Sequence, residues 1–290
     1  MKDGLNCIMT HEKLHQESAD MDLSFIIPIK IESQDRLRNC ITILSYLLNV
    51  VPEAKIYIKE VDAESVFTQH ALPILKKNVS VENLHHTFQF NPANALFHRT
   101  RYINDLFLQT KSKVVWHYDV DVLFPKSTYL ATYDMIANKG IDFVYPFGCG
   151  PYQNAIRYSD EMYRDFIQSG YDLNVLKTDY FRLPATVGFS QVFNAESYVK
   201  FGFMNENFVS WGCEDCELYY RMNILKYKVG RVYNDVYHLE HSRTFNSHYH
   251  NPKFNENNNL WQWFRHQDAE AVIEYYNNQE YVKERTEQWT

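Results

Sequence analysis

An open α/β sheet is the fold class this sequence predicts, on three observations. Short continuous apolar runs such as Leu23-Ser-Phe-Ile-Ile-Pro-Ile29 have the pattern of strands buried on both faces. These runs alternate with stretches whose apolar residues recur at three- and four-residue steps, as on the buried face of a helix. At 290 residues and 45% hydrophobic, the chain is long enough to bury one large core.

The first strand is expected over 23–29. Residues 35–50 then carry Leu37, Ile41, Leu44 and Leu48 on a helical stripe ended by Pro52. Alternation returns over 55–61, completing a parallel, right-handed β-α-β unit. The pattern continues with a helix over 94–109, a strand over 114–124, a helix over 127–138 stopped by Gly140, and a strand over 141–146. Residues 148–186 are less periodic and read as loops with one helix near 159–168. Strands over 187–194 and 229–239 flank a helix over 214–228. The Asn- and His-rich segment 246–259 is expected to be loop. Residues 260–277 read as an amphipathic helix, with Trp261, Phe264, Ala271 and Ile273 among charged residues, packed on the main body. Three segments follow: a polar leader over 1–21, a domain over 22–245 and an appendage over 246–290. Open sheets of this kind bind ligands beyond the carboxyl ends of their strands.

Composition excludes several classes. A formal net charge of -7 argues against nucleic-acid binding, which needs concentrated Lys and Arg. Aromatics reach 16%, suited to stacking on flat rings but equally to filling a core. The leader has no apolar segment of signal-peptide type, and the greasiest stretch, 41–51, is too short and too polar to span a bilayer. Five scattered cysteines do not form a disulfide framework. The expected location is the cytoplasm, with peripheral contact to the inner face of the membrane allowed. The C-terminal helix lacks the Lys- and Arg-rich face that binds anionic lipid.

Three constellations carry chemistry. Val114-Val-Trp-His-Tyr-Asp-Val-Asp121 ends a hydrophobic strand in two carboxylates. On a continuing strand, Asp119 and Asp121 share a side with Val120 opposite. Such oxygen ligands hold Mg²⁺ or Mn²⁺ against a diphosphate, and the alternative is a solvated turn. The segment 211–222 (WGCEDCELYYRM) crowds Glu214, Asp215 and Glu217 into a first helical turn, either as favourable helix-dipole partners or with one as a general base. Trp211 and Gly212 before them suit a wall and a close-approach point for a sugar ring. His238-Leu-Glu-His241, followed by Ser242 and Arg243, places two imidazoles at a strand end, where they suit a metal, while a single one there would more often be structural. His248 and His250 are weaker metal candidates. Cys213-x-x-Cys216 with His238-x-x-His241 also reads as a zinc site of short histidine spacing, or Cys-x-x-Cys as a redox motif.

The order IPIK, FHRTRYIN, DVD, WGCEDCELYYRM, HLEHSR resembles the β-1,4-galactosyltransferase group and its bacterial relatives over about residues 24–243. Residues 97–104 are similar to that family's FNRAKLLN segment and residues 211–217 to its WGGEDDD segment. The resemblance implies a GT-A fold, a Rossmann-like open mixed sheet with helices on both faces. It implies an inverting enzyme that takes a UDP-sugar donor and a saccharide or glycolipid acceptor with Mn²⁺ or Mg²⁺. By position, Asp121 and His241 match metal ligands, and His238 stands where vertebrate members have a methionine ligand. Asp119 and Arg99 match the nucleotide side, and Asp215 the residue that deprotonates the acceptor. Lys30 stands for an arginine at the phosphates, which it replaces without the bidentate fork. Trp211, Gly212, Glu214 and Gly188 fall at the sugar sites. The sequence departs from the family at Glu32, Cys213, Cys216 and 187–190 (VGFS), which leaves the donor sugar open among galactose, N-acetylgalactosamine and glucose types. Two further readings stay open: a non-catalytic sugar-nucleotide or glycan-binding protein, and a zinc-stabilised interaction domain.

Overall fold

The computed structural model describes residues 21–184, 186–248 and 251–290. The expected leader therefore lies outside the described residues except for Met21, whose side chain is buried. β1 (Leu23–Ile29), α1 (Gln34–Val50) and β2 (Lys55–Asp62) form the expected β-α-β unit, followed by α2 (Leu72–Asn78) and β3 (Leu84–Phe90). α3 (Arg99–Phe107) leads to β4 (Val114–Tyr118), the short β5 (Val122–Leu123), α4 (Lys126–Ala137) and β6 (Phe143–Tyr145). Next come β7 (Gln153–Ile156), α5 (Asp160–Gln168), β8 (Tyr180–Arg182), β9 (Ser190–Asn194) and α6 (Ala195–Lys200). α7 (Glu214–Ile224), β10 (Val229–Arg231) and β11 (Val236–Leu239) precede α8 (Phe254–Phe264), α9 (Ala269–Asn277) and α10 (Glu280–Trp289).

Seven strands form one sheet in the order β10-β6-β9-β4-β1-β2-β3, and β5-β11-β7-β8 form a second. Every neighbour in the large sheet is parallel except β9, which runs antiparallel to both β4 and β6. Phe25, Trp116 and Tyr129 of α4 pack together on one face, with Tyr46 of α1 beside them. On the other face Phe193 meets Phe143 and Tyr198 of α6, and Tyr198 meets Phe107 of α3. Helices thus cover both faces of an open mixed sheet, as the sequence predicts. The high aromatic content serves this core, where each tilted or edge-on ring pair adds about 0.5–1.5 kcal/mol beyond its buried area.

Several elements differ from expectation, each for a visible reason. The strand expected over 114–124 stops at Tyr118, because the chain turns at 119–121, with the Val122 amide donating to the Asp119 carbonyl. It resumes as β5 in the second sheet. The strand expected over 229–239 is two strands in different sheets, separated by a segment that Asn234 anchors to Gly148 and Thr128. Residues 148–186, expected as loops and one helix, contain β7, fully buried although it begins Gln153-Asn154. Both amides are satisfied internally, Gln153 by Gly148 and Thr186 and Asn154 by Val236, so polar letters concealed an interior strand. The loop expected over 246–259 becomes helical at Phe254. Buried Asn257 on α8 donates to the carbonyls of Val209 and Trp211, at 3.0 and 3.3 Å. The helix expected over 260–277 breaks before Asp268, whose carboxylate caps α9 by accepting from the Ala271 amide at 2.9 Å.

Candidate active site

Lys30, Arg99, Asp119, Asp121, Gly188, Trp211, Gly212, Glu214, Asp215, His238 and His241 all line one cleft of about 370 Å³ at the carboxyl ends of β1 and β4. The turn at 119–121 separates the two aspartates instead of aligning them on a strand face. Asp119 accepts from Arg99 Nη2 at 2.6 Å, whereas Asp121 Oδ2 faces His241 Nε2 at 2.9 Å and His238 Nε2 at 3.8 Å. Mutual repulsion is relieved by giving each carboxylate its own cationic or imidazole partner.

The imidazoles are oriented from behind. His238 Nδ1 lies 2.7 Å from Glu240 Oε1, and His241 Nδ1 lies 2.9 Å from the Ser242 carbonyl. Both partners only accept, so each Nδ1 carries a proton and each Nε2 is turned towards Asp121 Oδ2, where a cation would take the place of an Nε2 proton. An outer carboxylate or carbonyl fixing the tautomer is the usual support of a metal-bound histidine. Asp121, His238 and His241 offer ligand atoms within 4.8 Å of one another, the one such group among the described residues. Burial raises the Asp121 carboxyl, but His238, His241 and then Arg36 outweigh it and hold the group well below the usual carboxylate range. An ionised carboxylate and two Nε2 atoms on one side of the cleft fit a divalent cation with open coordination positions.

The acids of α7 divide their work. Glu214 is buried and accepts from the Gly212 amide at 2.9 Å, closing the turn into the helix. Gly212 sits at φ +128, a conformation that L side chains rarely adopt. Glu217 faces away from the cleft, bound to Arg221 at 2.9 Å and to the Tyr276 hydroxyl at 2.8 Å. Asp215 alone combines partial exposure, 23% of its side chain, with a carboxylate in the cleft. Burial, then Glu214, pushes it up to about 8 against the opposing pull of Arg99. A methyl group at Gly188 would come within 3.0 Å of Asp215 Oδ2, so glycine keeps that oxygen accessible. Trp211 is stacked on Phe254 of α8 at 5.7 Å and remains 37% exposed at the cleft wall.

Lys30 lines the cleft, yet its ammonium is engaged by the Ala93 carbonyl at 2.9 Å and Glu32 at 3.3 Å. Arg36 is a cation that sequence reasoning missed. One turn into α1, it lines the same cleft, and its buried Nε has no hydrogen-bond partner. Arg99 Nη1 is likewise buried and unbonded, 3.8 Å from Glu214 and 3.9 Å from Asp215. Unsatisfied guanidinium nitrogens at a cleft fit an anionic ligand, which would remove their desolvation cost. No spacing marked Arg36, because its value arises only when α1 is laid beside the loop after β11, where its Nη2 donates to Ser247 at 3.0 Å.

Cys213 and Cys216 have free thiols and do not join the Asp121 group. Burial and the neighbouring carboxylates raise Cys213 and push Cys216 up to about 11, opposite to the lowered thiol of a redox pair. His248 is also outside that group, and His250 lies outside the described residues.

The fold and cleft define a class: a mixed α/β protein with a carboxylate–imidazole group able to hold a cation and a separate raised carboxyl beyond its strand ends. Residues 177–243 match the family model described as the N-terminal domain of galactosyltransferase, a minority of the chain that includes Gly188, the 211–217 segment and both histidines. The resemblance to GT-A glycosyltransferases thus extends beyond the short motifs. No curated protein sequence matches the chain. Similar solved structures include the catalytic domain of Drosophila β1,4-galactosyltransferase 7 in complex with xylobiose, at 12% identity and TM-score 0.42, covering 72% of this chain and 63% of that one. S. aureus TarS is similar at 12% identity and TM-score 0.48, over 75% of this chain and 60% of that one. The mannosyltransferase PcManGT of Pyrobaculum calidifontis, in complex with GDP-Man and Mn²⁺, is similar at 16% identity and TM-score 0.45, over 76% and 56%. The chain spans less than two thirds of each of these structures, and likenesses this distant carry over no substrate or residue role.

Proposed function

We propose that this protein is a metal-dependent inverting glycosyltransferase, moving a sugar of galactose, N-acetylgalactosamine or glucose type from a UDP-sugar to a glycan hydroxyl. The observation that carries the reading is a division of labour within one cleft: Asp121, His238 and His241 turn three ligand atoms to a common point, while Asp215 enters from α7 with a raised carboxyl. The uridine donor follows from the family that the motifs resemble.

A bound Mn²⁺, or Mg²⁺, would neutralise charge on the departing diphosphate, and two imidazole ligands favour Mn²⁺, since Mg²⁺ prefers oxygen. Arg36 and Arg99 offer their unbonded nitrogens to the same anion. Trp211 gives the acceptor ring a flat wall. Asp215 then takes the proton of the acceptor hydroxyl as that oxygen bonds to the anomeric carbon, and the bond to the diphosphate oxygen breaks on the opposite side. The configuration inverts in one step, and the proton ends on Asp215. A base of this kind contributes about 10²- to 10⁴-fold in rate.

The test is a screen of UDP-sugars with Mn²⁺ and simple saccharide acceptors, alongside Asp121→Asn. Transfer that needs Mn²⁺ and disappears in the variant supports the reading. Tight UDP-sugar binding with neither transfer nor hydrolysis of any donor would replace it with a non-catalytic binding protein of the same fold.

A further inference from the structure

Beneath Asp215 lies a pair of buried side chains that the reaction above does not use. Gln191 on β9 is the direct cross-strand partner of His117 on β4, and neither is exposed to solvent. Gln191 Nε2 donates to Asp215 Oδ1 at 3.0 Å and to the Val187 carbonyl at 3.1 Å. Both of these oxygens act as acceptors there, so this end of the amide must be the NH₂ group. The opposite end, Oε1, and both ring nitrogens of His117 have no other hydrogen-bond partner. Direct partners in an antiparallel pair project from the same face, so the amide oxygen and the imidazole are neighbours, and a side-chain hydrogen bond links Gln191 to His117. Burial, reinforced by Arg99, keeps His117 neutral, which leaves it one N–H to give.

Two polar residues buried side by side across a strand pair carry a desolvation cost that packing alone does not explain. Their placement gives a reason. A carboxylate on the first turn of a helix rotates about two side-chain bonds, and a donor on one oxygen selects the rotamer that aims the other. Gly188 leaves space beside Oδ2, so the oxygen not held by Gln191 is the open one.

We infer that Gln191 is a positioning residue for Asp215: its amide pins Oδ1, His117 fixes which way the amide faces, and Oδ2 is left directed at the acceptor hydroxyl. The inference rests on the function proposed above, in which Asp215 is the base. The other charged or titratable groups around Asp215 are Glu214, Arg99, Asp119, Cys213, Cys216 and Tyr145. None of them supplies a neutral donor to Oδ1.

The experiment uses Gln191→Met, which keeps length without the donor, and Gln191→Leu, a second uncharged side chain without the donor, should the first variant fold poorly. Carbon-13 NMR of the Asp215 carboxyl in the whole chain reads its titration midpoint. Loss of a bond to the ionised form raises that midpoint in either variant, by on the order of one unit. With a working donor and acceptor, kcat falls by about 10- to 100-fold while the donor KM stays within about twofold, the signature of a misaimed base. An unmoved midpoint in both variants, or a moved midpoint with unchanged kcat, overturns the inference. A wild-type protein that performs no transfer overturns the function instead, while the NMR titration still decides whether Gln191 holds Asp215.

Discussion

Asp119 and Asp121 are two positions apart and answer to different partners, one to Arg99 and the other to paired imidazoles. Asp215 must be ionised to accept a proton, so kcat/KM is expected to rise with pH through a midpoint near the value of about 8 to which its surroundings push it. Asp215→Asn is expected to bind Mn²⁺ and UDP as the wild type does while losing about 10²- to 10⁴-fold in turnover. Near wild-type transfer by that variant would remove Asp215 from its role. Arg36→Ala is expected to weaken UDP binding by about tenfold, or about 1.4 kcal/mol, in a calorimetric titration. An unchanged affinity would mean that Arg36 Nε meets no phosphate. The aspartates, the histidines and Asp215 were legible because each sits in a short local pattern. Arg36, Gln191 and His117 were not, since their meaning comes from residues that are distant in sequence.

At the scale of elements, α7 joins the cleft to the C-terminal helices through a buried unit. Arg221 donates to the carbonyls of Phe201 and Phe203 at 2.7 and 2.9 Å and pairs with Glu217, which accepts from Tyr276 of α9. Tyr276→Phe leaves Glu217 short of one donor and is expected to cost about 1–3 kcal/mol, whereas Glu217→Ala strands a buried guanidinium and costs about 3–5 kcal/mol. Urea unfolding reads both, and equal losses would contradict this ordering. The first two strands and the helices α1, α3, α4, α5 and α7 were legible from periodicity, whereas α2, α6 and α10 drew no expectation. The breaks after Tyr118 and within 229–239 were not, because Val122 and Val236 are equally suited to either sheet and only long-range pairing chooses between them. Edge strand β3, largely exposed and rich in His and Gln, gave no hydrophobic signal.

Across the whole molecule, an acidic chain of net charge -7 concentrates Lys30, Arg36, Arg99 and Arg243 around one cleft. The same lining holds Glu32, Asp119, Asp121, Glu214 and Asp215, and bulk charge did not foretell that cations and carboxylates gather there together. The same cleft makes stability depend on pH. Asp215 is raised from 3.8 to about 8, so between these values the folded state binds a proton that the unfolded chain has released. Its contribution is fully present below the lower value and is lost as pH rises through the upper one. In the metal-free protein, Asp215→Asn should therefore gain thermal stability relative to wild type on going from about pH 5 to about pH 9. Parallel melting curves at all pH values would show that Asp215 titrates at an ordinary position.

Asp121 and His241 stand 120 residues apart along the chain and 2.9 Å apart in space. A cation held between them therefore works as a clasp. It ties the turn between the two sheets to the end of the last strand, and closing so long a loop withdraws freedom from the unfolded chain rather than from the folded one. Under the proposed function, the ion that assists the chemistry would also lock the two halves of the sequence in register, and a chain interrupted before residue 238 would lack both imidazoles of the clasp.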